Sequence, residues 1–218
     1  GRVPYVDANG RLADDAGLLY DATNNLITIS NNAAPQAAPA GTHLLLSMGD
    51  SENGRFVIDS FATNSIIQTR RANTSGANPS ALAANDIILS LIATGYGATG
   101  YVTTAAAYIR AFADETWTDA TGATYLTFAT RATGGVGTAA ERMRIDSAGH
   151  VGIGSTAPSA STLLDLASTT ATLLIPRMTT TQKNALTPIN GMVVYDSTLG
   201  KFQGYEAGAW NNFSLLYI

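Results

Sequence analysis

Short runs of alternating apolar and polar residues, each ended by Gly, Asn, Asp or Pro, follow one another along this chain of 218 residues. Alternation with a period of two is typical of β-strands that bury one face. Because turn residues separate the runs, we expect an all-β fold. The predicted strands cover residues 44–48, 55–60, 65–70, 86–93, 101–104, 124–130, 143–145 and 151–153.

One pattern, apolar-Asp-small-x-x-polar-apolar, occurs four times along the chain. The copies span residues 6–12, 20–26, 145–151 and 195–202, and the last copy is one residue longer. In each copy the Asp carboxylate can accept hydrogen bonds from backbone N–H groups ahead of it. A Gly or Asn then supplies the left-handed residue that closes the turn. The pattern predicts four β-hairpins.

Residues 105–113 are rich in alanine, which favours helix, but we predict a strand here. Alternation then places Tyr108, Arg110 and Phe112 on one face. The other face is flat enough for another chain to approach closely, and it consists of Ala107, Ile109, Ala111 and Ala113.

One short helix is predicted over residues 179–186. Thr179 and Gln182 have the spacing of a capping box, and Pro188 stops the helix shortly after its end.

Composition and charge exclude several classes of protein. The net charge of −4 lacks the basic patch that nucleic acid requires. No segment approaches the roughly 20 continuous apolar residues that cross a bilayer. Since the chain has no cysteine, it has no disulfides and no thiolate metal sites. It begins at Gly1, so we expect a fragment or a processed product.

Candidate chemistry is sparse. Asp114, Glu115 and Asp119 surround Trp117, as paired carboxylates surround a sugar-stacking ring in glycosidases, but the same residues describe an exposed loop, which we favour. His43 and His150 each lack a second metal ligand, and residues 7–10 lack the distal Glu of a calcium loop. We therefore predict no catalytic, cofactor-binding or metal site.

Aromatic side chains are the candidate contacts for a ligand. Tyr205, Trp210 and Trp117 are predicted glycan contacts, because an amphipathic ring can stack on a sugar while its edge stays wet. Core packing is the alternative that we favour for Tyr205 and Trp210, an exposed loop is the alternative for Trp117, and core packing is our prediction for Phe202. We place Arg70, Arg71, Arg142 and Arg144 on outward strand faces.

Residues 141–154, Glu-Arg-Met-Arg-Ile-Asp-Ser-Ala-Gly-His-Val-Gly-Ile-Gly, resemble a module of bacteriophage tail fibres. Residues 174–186, Leu-Ile-Pro-Arg-Met-Thr-Thr-Thr-Gln-Lys-Asn-Ala-Leu, lead into Gly-Met-Val-Val-Tyr-Asp-Ser-Thr at 191–198 and then to Trp210. That string is similar to a segment shared by phage tail fibres and some bacterial surface proteins. The resemblance covers about 141–213.

The resemblance implies an elongated, intertwined trimeric β-fibre with short hairpins and one short helix near 179–186. Its implied function is that of a structural and adhesive segment of a phage tail fibre, a receptor-binding fibre on the virion tail. Implied partners are two further copies, other tail or baseplate proteins, and a glycan or protein of the host surface. Two alternatives remain open, a polysaccharide-degrading tailspike and a bacterial surface adhesin or filament subunit.

Two stretches without an apolar period divide the chain. We predict an N-terminal hairpin segment over 1–30, a proline-containing linker over 31–41 and a β-rich fibre body over 42–153. A joint over 154–162 then leads to a C-terminal module over 163–218, which holds the helix and the last hairpin.

Overall fold

The computed structural model describes residues 2–6, 12–21, 26–30, 44–47, 66–74 and 78–213. The chain divides into two compact units, Gly1–Gln68 and Thr69–Ile218. The described backbone of the first unit forms a four-stranded sheet. Its strands, in spatial order, are β1 (Arg2–Val6), β2 (Leu12–Asp21), β3 (Leu26–Ser30) and β4 (Leu44–Ser47). The first three pair antiparallel, and β4 pairs parallel with β3.

A six-stranded sheet forms the larger part of the second unit, and strands adjacent in sequence are adjacent in the sheet. They are β5 (Ile87–Ala93), β6 (Ala107–Ala113), β7 (Thr124–Thr130), β8 (Ala140–Ile145), β9 (Val151–Ile153) and β10 (Leu164–Leu166). The pairs from β5 to β9 are antiparallel, whereas β10 runs parallel to β9. The predicted strand at 105–113 is therefore confirmed as β6.

A second, four-stranded sheet and one helix complete the second unit. Their bounds are β11 (Arg177–Met178), α1 (Thr180–Asn184), β12 (Val193–Asp196), β13 (Lys201–Glu206) and β14 (Ala209–Asn212). Strand β11 pairs parallel with β12, and β12, β13 and β14 form an antiparallel meander. With this one short helix among the described residues, the predicted all-β fold is confirmed.

Each copy of the hairpin pattern connects two antiparallel neighbours, as predicted. The pairs that close the four hairpins are Val6 with Leu12, Asp21 with Leu26, Ile145 with Val151, and Asp196 with Lys201. The turn residues of the first two copies lie outside the described residues.

The turn at Asp146 shows how the pattern works. The Asp146 Oδ1 atom accepts hydrogen bonds from the backbone N–H groups of Ala148 (3.0 Å) and His150 (2.8 Å). Gly149 closes the turn with φ +89°, a conformation that strains any residue with a Cβ. Partial burial favours a higher pKa for the Asp146 carboxyl, but the hydrogen bonds from the His150 side chain and backbone outweigh it and lower that pKa.

Two predicted strands are wrong. Residues 66–70 of the predicted strand at 65–70 are irregular and exposed, because no strand among the described residues supplies the hydrogen-bond ladder that alternation alone cannot provide. The predicted strand at 101–104 is reduced to a single bridge between Tyr96 and Tyr101. A tight turn, in which the Gly97 N–H donates to the Gly100 carbonyl at 2.7 Å, ends the pairing there. The predicted strand at 55–60 lies outside the described residues.

The core that one chain forms is thin. Its buried apolar residues, among those described, are Leu82, Ala105, Ala113, Tyr125, Ala129, Ala139 and Val194. Because more than half of them are alanines, and alanine has little apolar area to remove from water, this core contributes little per residue.

The Gly149→Val variant tests the turn. We expect it to lower the free energy of unfolding by about 1–2 kcal/mol, because a β-branched residue is strained at positive φ. Gly95→Val is the matched control, since an added Cβ meets nothing within 4 Å at either glycine and Gly95 has no positive φ. Thermal unfolding measures both, and equal melting temperatures for the two variants would contradict the turn assignment.

Candidate functional site

Helix α1 begins with the predicted capping box. The backbone N–H of Thr179 donates to Gln182 Oε1 at 2.9 Å, and the backbone N–H of Gln182 donates to Thr179 Oγ1 at 3.3 Å. The helix ends at Asn184, two residues earlier than predicted. This fixed start places Thr180 and Lys183, three residues apart, on the same side of the helix.

Thr180 and Lys183 reach the same buried carboxylate, that of Asp196. The Asp196 side chain is 0% exposed and the Lys183 side chain is 4% exposed, and Lys183 Nζ lies 3.0 Å from Asp196 Oδ2. Thr180 Oγ1 donates to Asp196 Oδ2 at 2.8 Å. Asp196 Oδ1 accepts from the backbone N–H groups of Thr198 and Leu199, at 3.0 and 3.1 Å. One carboxylate thus closes the last hairpin and also holds the helix on the sheet.

The polar cluster continues across the sheet. Lys183 Nζ also donates to Gln203 Oε1, and Gln203 Nε2 donates to Asn212 Oδ1 at 2.8 Å. Since Gln203 lies on β13 and Asn212 on β14, helix α1 is linked to three strands. We call Thr180, Lys183, Asp196 and Gln203 the lysine cluster.

Electrostatics favour the charged form of Asp196. Burial alone would raise the pKa of its carboxyl, but hydrogen bonds from Thr180, from the backbone of Leu199 and from Lys183 lower it from 3.8 to about 2. A folded-state pKa below the unfolded value means that the carboxylate stabilises the fold above pH 3.8. This contribution is lost as the pH falls through about 2.

The predicted glycan contacts lie in two places. Tyr205 on β13 and Trp210 on β14 are cross-strand partners, with ring centroids 5.3 Å apart and an edge-to-face angle of 66°. Both are half-buried. Trp117 lies between β6 and β7, where its Nε1–H donates to the Ala123 carbonyl at 3.2 Å and its ring packs on Gly122. The structure brings together Tyr205 and Trp210, whereas Trp117 supports a loop.

The prediction that Phe202 belongs to the core is wrong. Phe202 is 51% exposed and lies on the sheet face opposite the lysine cluster, next to the exposed Val193 and Phe213. The Phe213 ring covers Gly204, since a Cβ added at Gly204 would lie 2.7 Å from it. Helix α1 covers one face of this sheet, so Phe202 lies on the uncovered, apolar face.

The remaining candidate residues have structural partners. Glu115 Oε1 accepts from the Ala123 N–H at 3.0 Å, and Asp114 accepts from the Ser147 hydroxyl, while Asp119 is exposed. His150 pairs with Asp146. Across the described residues no group of three His, Cys, Asp or Glu side chains is placed to hold a metal ion. His43 and residues 7–10 lie outside the described residues.

The arginines differ in their surroundings. Arg70 and Arg71 are exposed but lie in irregular backbone rather than on a strand, and Arg71 pairs with Asp86 at 2.8 Å. Arg142 is exposed on β8, as predicted. Arg144 is not outward: it is half-buried, pairs with Glu141 at 2.8 Å and stacks on the Tyr125 ring.

The lysine cluster was missed by sequence reasoning. The hairpin pattern indicated that Asp196 accepts backbone hydrogen bonds. Nothing in a short polar helix indicates that Lys183 is buried, because lysine is almost never buried without a partner. The sequence signal for the buried lysine is Asp196. One oxygen of its carboxylate closes the turn, and the second oxygen remains free to bind a cation.

These features define a class of protein, an all-β subunit built of short hairpins with open apolar sheet faces. Residues 152–215 match the family model described as phage tail like trimerisation region. Over these residues the chain is similar to a phage tail protein, which confirms the predicted resemblance there. The match supports assembly as a homotrimer and a structural role in a phage tail. A comparison with curated proteins finds no match.

Within the ranges that the structure describes, no helix is long and apolar enough to cross a bilayer.

The Asp196→Asn variant tests the buried ion pair. We expect its melting temperature to fall by more than about 5 °C, because Lys183 is left buried without a counter-charge. Asp146→Asn is the matched control, since Asp146 has the same turn role but no buried lysine beside it. Replacing both members, as in Lys183→Met/Asp196→Asn, is expected to restore part of the loss. Equal melting temperatures for the two single variants would contradict this role of Lys183.

The pH dependence of the same pair provides a second test. The difference in melting temperature between wild type and Asp196→Asn is expected to be constant above pH 3.8 and to shrink as the pH falls to about 2. Thermal scans across this range at constant ionic strength measure it. A difference that stays constant down to pH 2 would show that Asp196 does not titrate in this window.

Proposed function

We propose that the chain is a non-catalytic, adhesive segment of a phage tail fibre that takes part in recognising the host surface. Three copies form an elongated, intertwined β-fibre on the extracellular virion tail, next to other tail or baseplate proteins. The observation that carries this proposal is the trimerisation region at 152–215. Three identical chains held together present any weak contact three times, and avidity then multiplies its strength.

The aromatic pair Tyr205 and Trp210 is the proposed contact for a host glycan. Both residues lie in the trimerisation region, and each ring is half-buried. Rings fixed against each other lose little conformational freedom on binding, and an aromatic side chain offers an apolar body with a polar edge. These are the properties that stacking on a sugar needs.

A non-catalytic role agrees with the surroundings of the acidic residues. Glu115 is engaged by a backbone N–H of its own loop, and Asp114 by a serine hydroxyl. A glycosidase pair needs two carboxylates that both face the glycosidic bond. Asp114 and Glu115 instead hold the loops on which they lie.

Binding of the wild-type chain to immobilised bacterial lipopolysaccharide and capsular polysaccharide tests the adhesive role. The Tyr205→Leu/Trp210→Leu variant keeps apolar packing but removes the flat rings. We expect it to bind at least about tenfold more weakly with its mass unchanged, because avidity multiplies the loss at each site. Trp117→Leu is the control and is expected to bind as wild type does.

Two results would contradict the proposal. Unchanged binding by the double variant, or no binding by wild type to any surface of a susceptible host, would remove the assigned contact. Release of shorter glycans from these polysaccharides, lost in Asp114→Ala or Glu115→Ala, would show that the chain is an enzyme.

A further inference from the structure

Strand register places two apolar rows side by side on one face of the six-stranded sheet. One row of directly paired residues crosses all six strands and consists of Leu91, Ile109, Phe128, Met143, Ile153 and Leu166. The row beside it on the same face consists of Leu89, Ala111, Leu126, Ile145, Val151 and Leu164. Neither row contains a charged or polar side chain. We call these two rows the apolar sheet face.

None of these side chains is buried by its own chain. Leu91, Ile109, Ile153, Leu164 and Leu166 are between 37% and 56% exposed, and the other members are half-buried. On the opposite face of β7, by contrast, Tyr125, Thr127 and Ala129 are buried. The sheet therefore has one covered face and one open face, and the open face is the apolar one.

Arginine side chains help to cover the opposite face. Arg144 lies over the Tyr125 ring at 4.2 Å and pairs with Glu141, and Arg110 lies over the Tyr108 ring at 4.1 Å. The arginine side chains thus lie over the aromatic rings of this face, and the Arg144 side chain is itself only 20% exposed. A sheet with one charged face and one apolar face is typical of a layer that packs its apolar face on another layer.

We infer that the apolar sheet face is an interface between copies of this chain, where the sheets of the homotrimer pack against one another. This inference rests on the proposed trimeric fibre. The face is continuous with the trimerisation region, because Ile153, Leu164 and Leu166 belong to both. The copies that assemble through residues 152–215 therefore lie within reach of the rest of the face.

The chemistry and the size of the face favour a second copy. A glycan needs hydrogen-bond partners, and neither row offers one through its side chains. Two rows on six strands cover roughly 400 Å² of sheet, about half of the roughly 800 Å² that each partner contributes to a standard interface. The open face around Val193, Phe202 and Phe213 adds further apolar area within the trimerisation region.

Cysteine labelling of the full-length chain tests this interface, since the sequence contains no cysteine. Leu91 and Ser90 are neighbours on β5, both exposed in one chain, and they point to opposite faces. In the assembled trimer, Leu91→Cys is expected to react with a maleimide at least about tenfold more slowly than Ser90→Cys, because reaction requires the interface to open. Equal rates in a particle of trimer mass would overturn the inference.

Charge substitution identifies what covers the face. Leu91→Lys/Ile109→Lys adds two charges at a cross-strand pair of the apolar sheet face, and Ser90→Lys/Arg110→Lys changes the adjacent pair on the other face. Only the first variant is expected to lower the melting temperature of the trimer and to shift its mass towards the monomer on dilution. Two results would overturn the inference, because each would mean that the chain covers its own apolar sheet face. One is slow labelling of Leu91→Cys in a monomer, and the other is equal effects of the two double variants.

The two proposals fail separately. A trimer that binds polysaccharide but labels rapidly at Leu91→Cys contradicts the interface alone. A trimer that protects Leu91→Cys but binds no polysaccharide contradicts the adhesive role alone.

Discussion

Each sheet of the second unit has one apolar face that the described part of its own chain leaves half exposed. In the six-stranded sheet this face spans every strand, and in the C-terminal sheet it surrounds Phe202. Burial of apolar area is the main force that stabilises folded proteins, and four of the seven buried apolar residues among those described are alanines. In the proposed trimer, packing against other copies would stabilise a fold whose described core is so thin and whose sheets are so open. The trimerisation region at 152–215 supplies the means to bring them together.

Polar side chains fix the local geometry of the strands that form the two apolar sheet faces. Asp146 and Asp196 close their hairpins by accepting backbone hydrogen bonds, which fixes strand register. A slip of one residue would turn the apolar face to the other side of the sheet. At Asp196 the same carboxylate also neutralises the buried Lys183 and holds helix α1 on the covered face. The lysine cluster thus determines which face of the C-terminal sheet remains open.

Much of this fold follows from local sequence signals. The Asp pattern predicted all four hairpins because turn chemistry acts within a few residues. The capping box of Thr179 and Gln182 predicted the helix for the same reason. Alternation in 105–113 predicted which side chains share a face, and the register of β6 confirms it. Features that depend on distant partners were not predictable: the parallel pairing of β10 with β9, the burial of Lys183 and the exposure of Phe202. The strands predicted at 65–70 and 101–104 failed because a strand needs a neighbour, and alternation does not reveal whether one exists.

The mass of the purified chain in solution tests the dependence on assembly most directly. Light scattering at micromolar concentration is expected to give three times the 22.6 kDa mass of one chain. A folded, stable particle with the mass of a single chain would contradict it, because the apolar faces would then be stable in water without a partner.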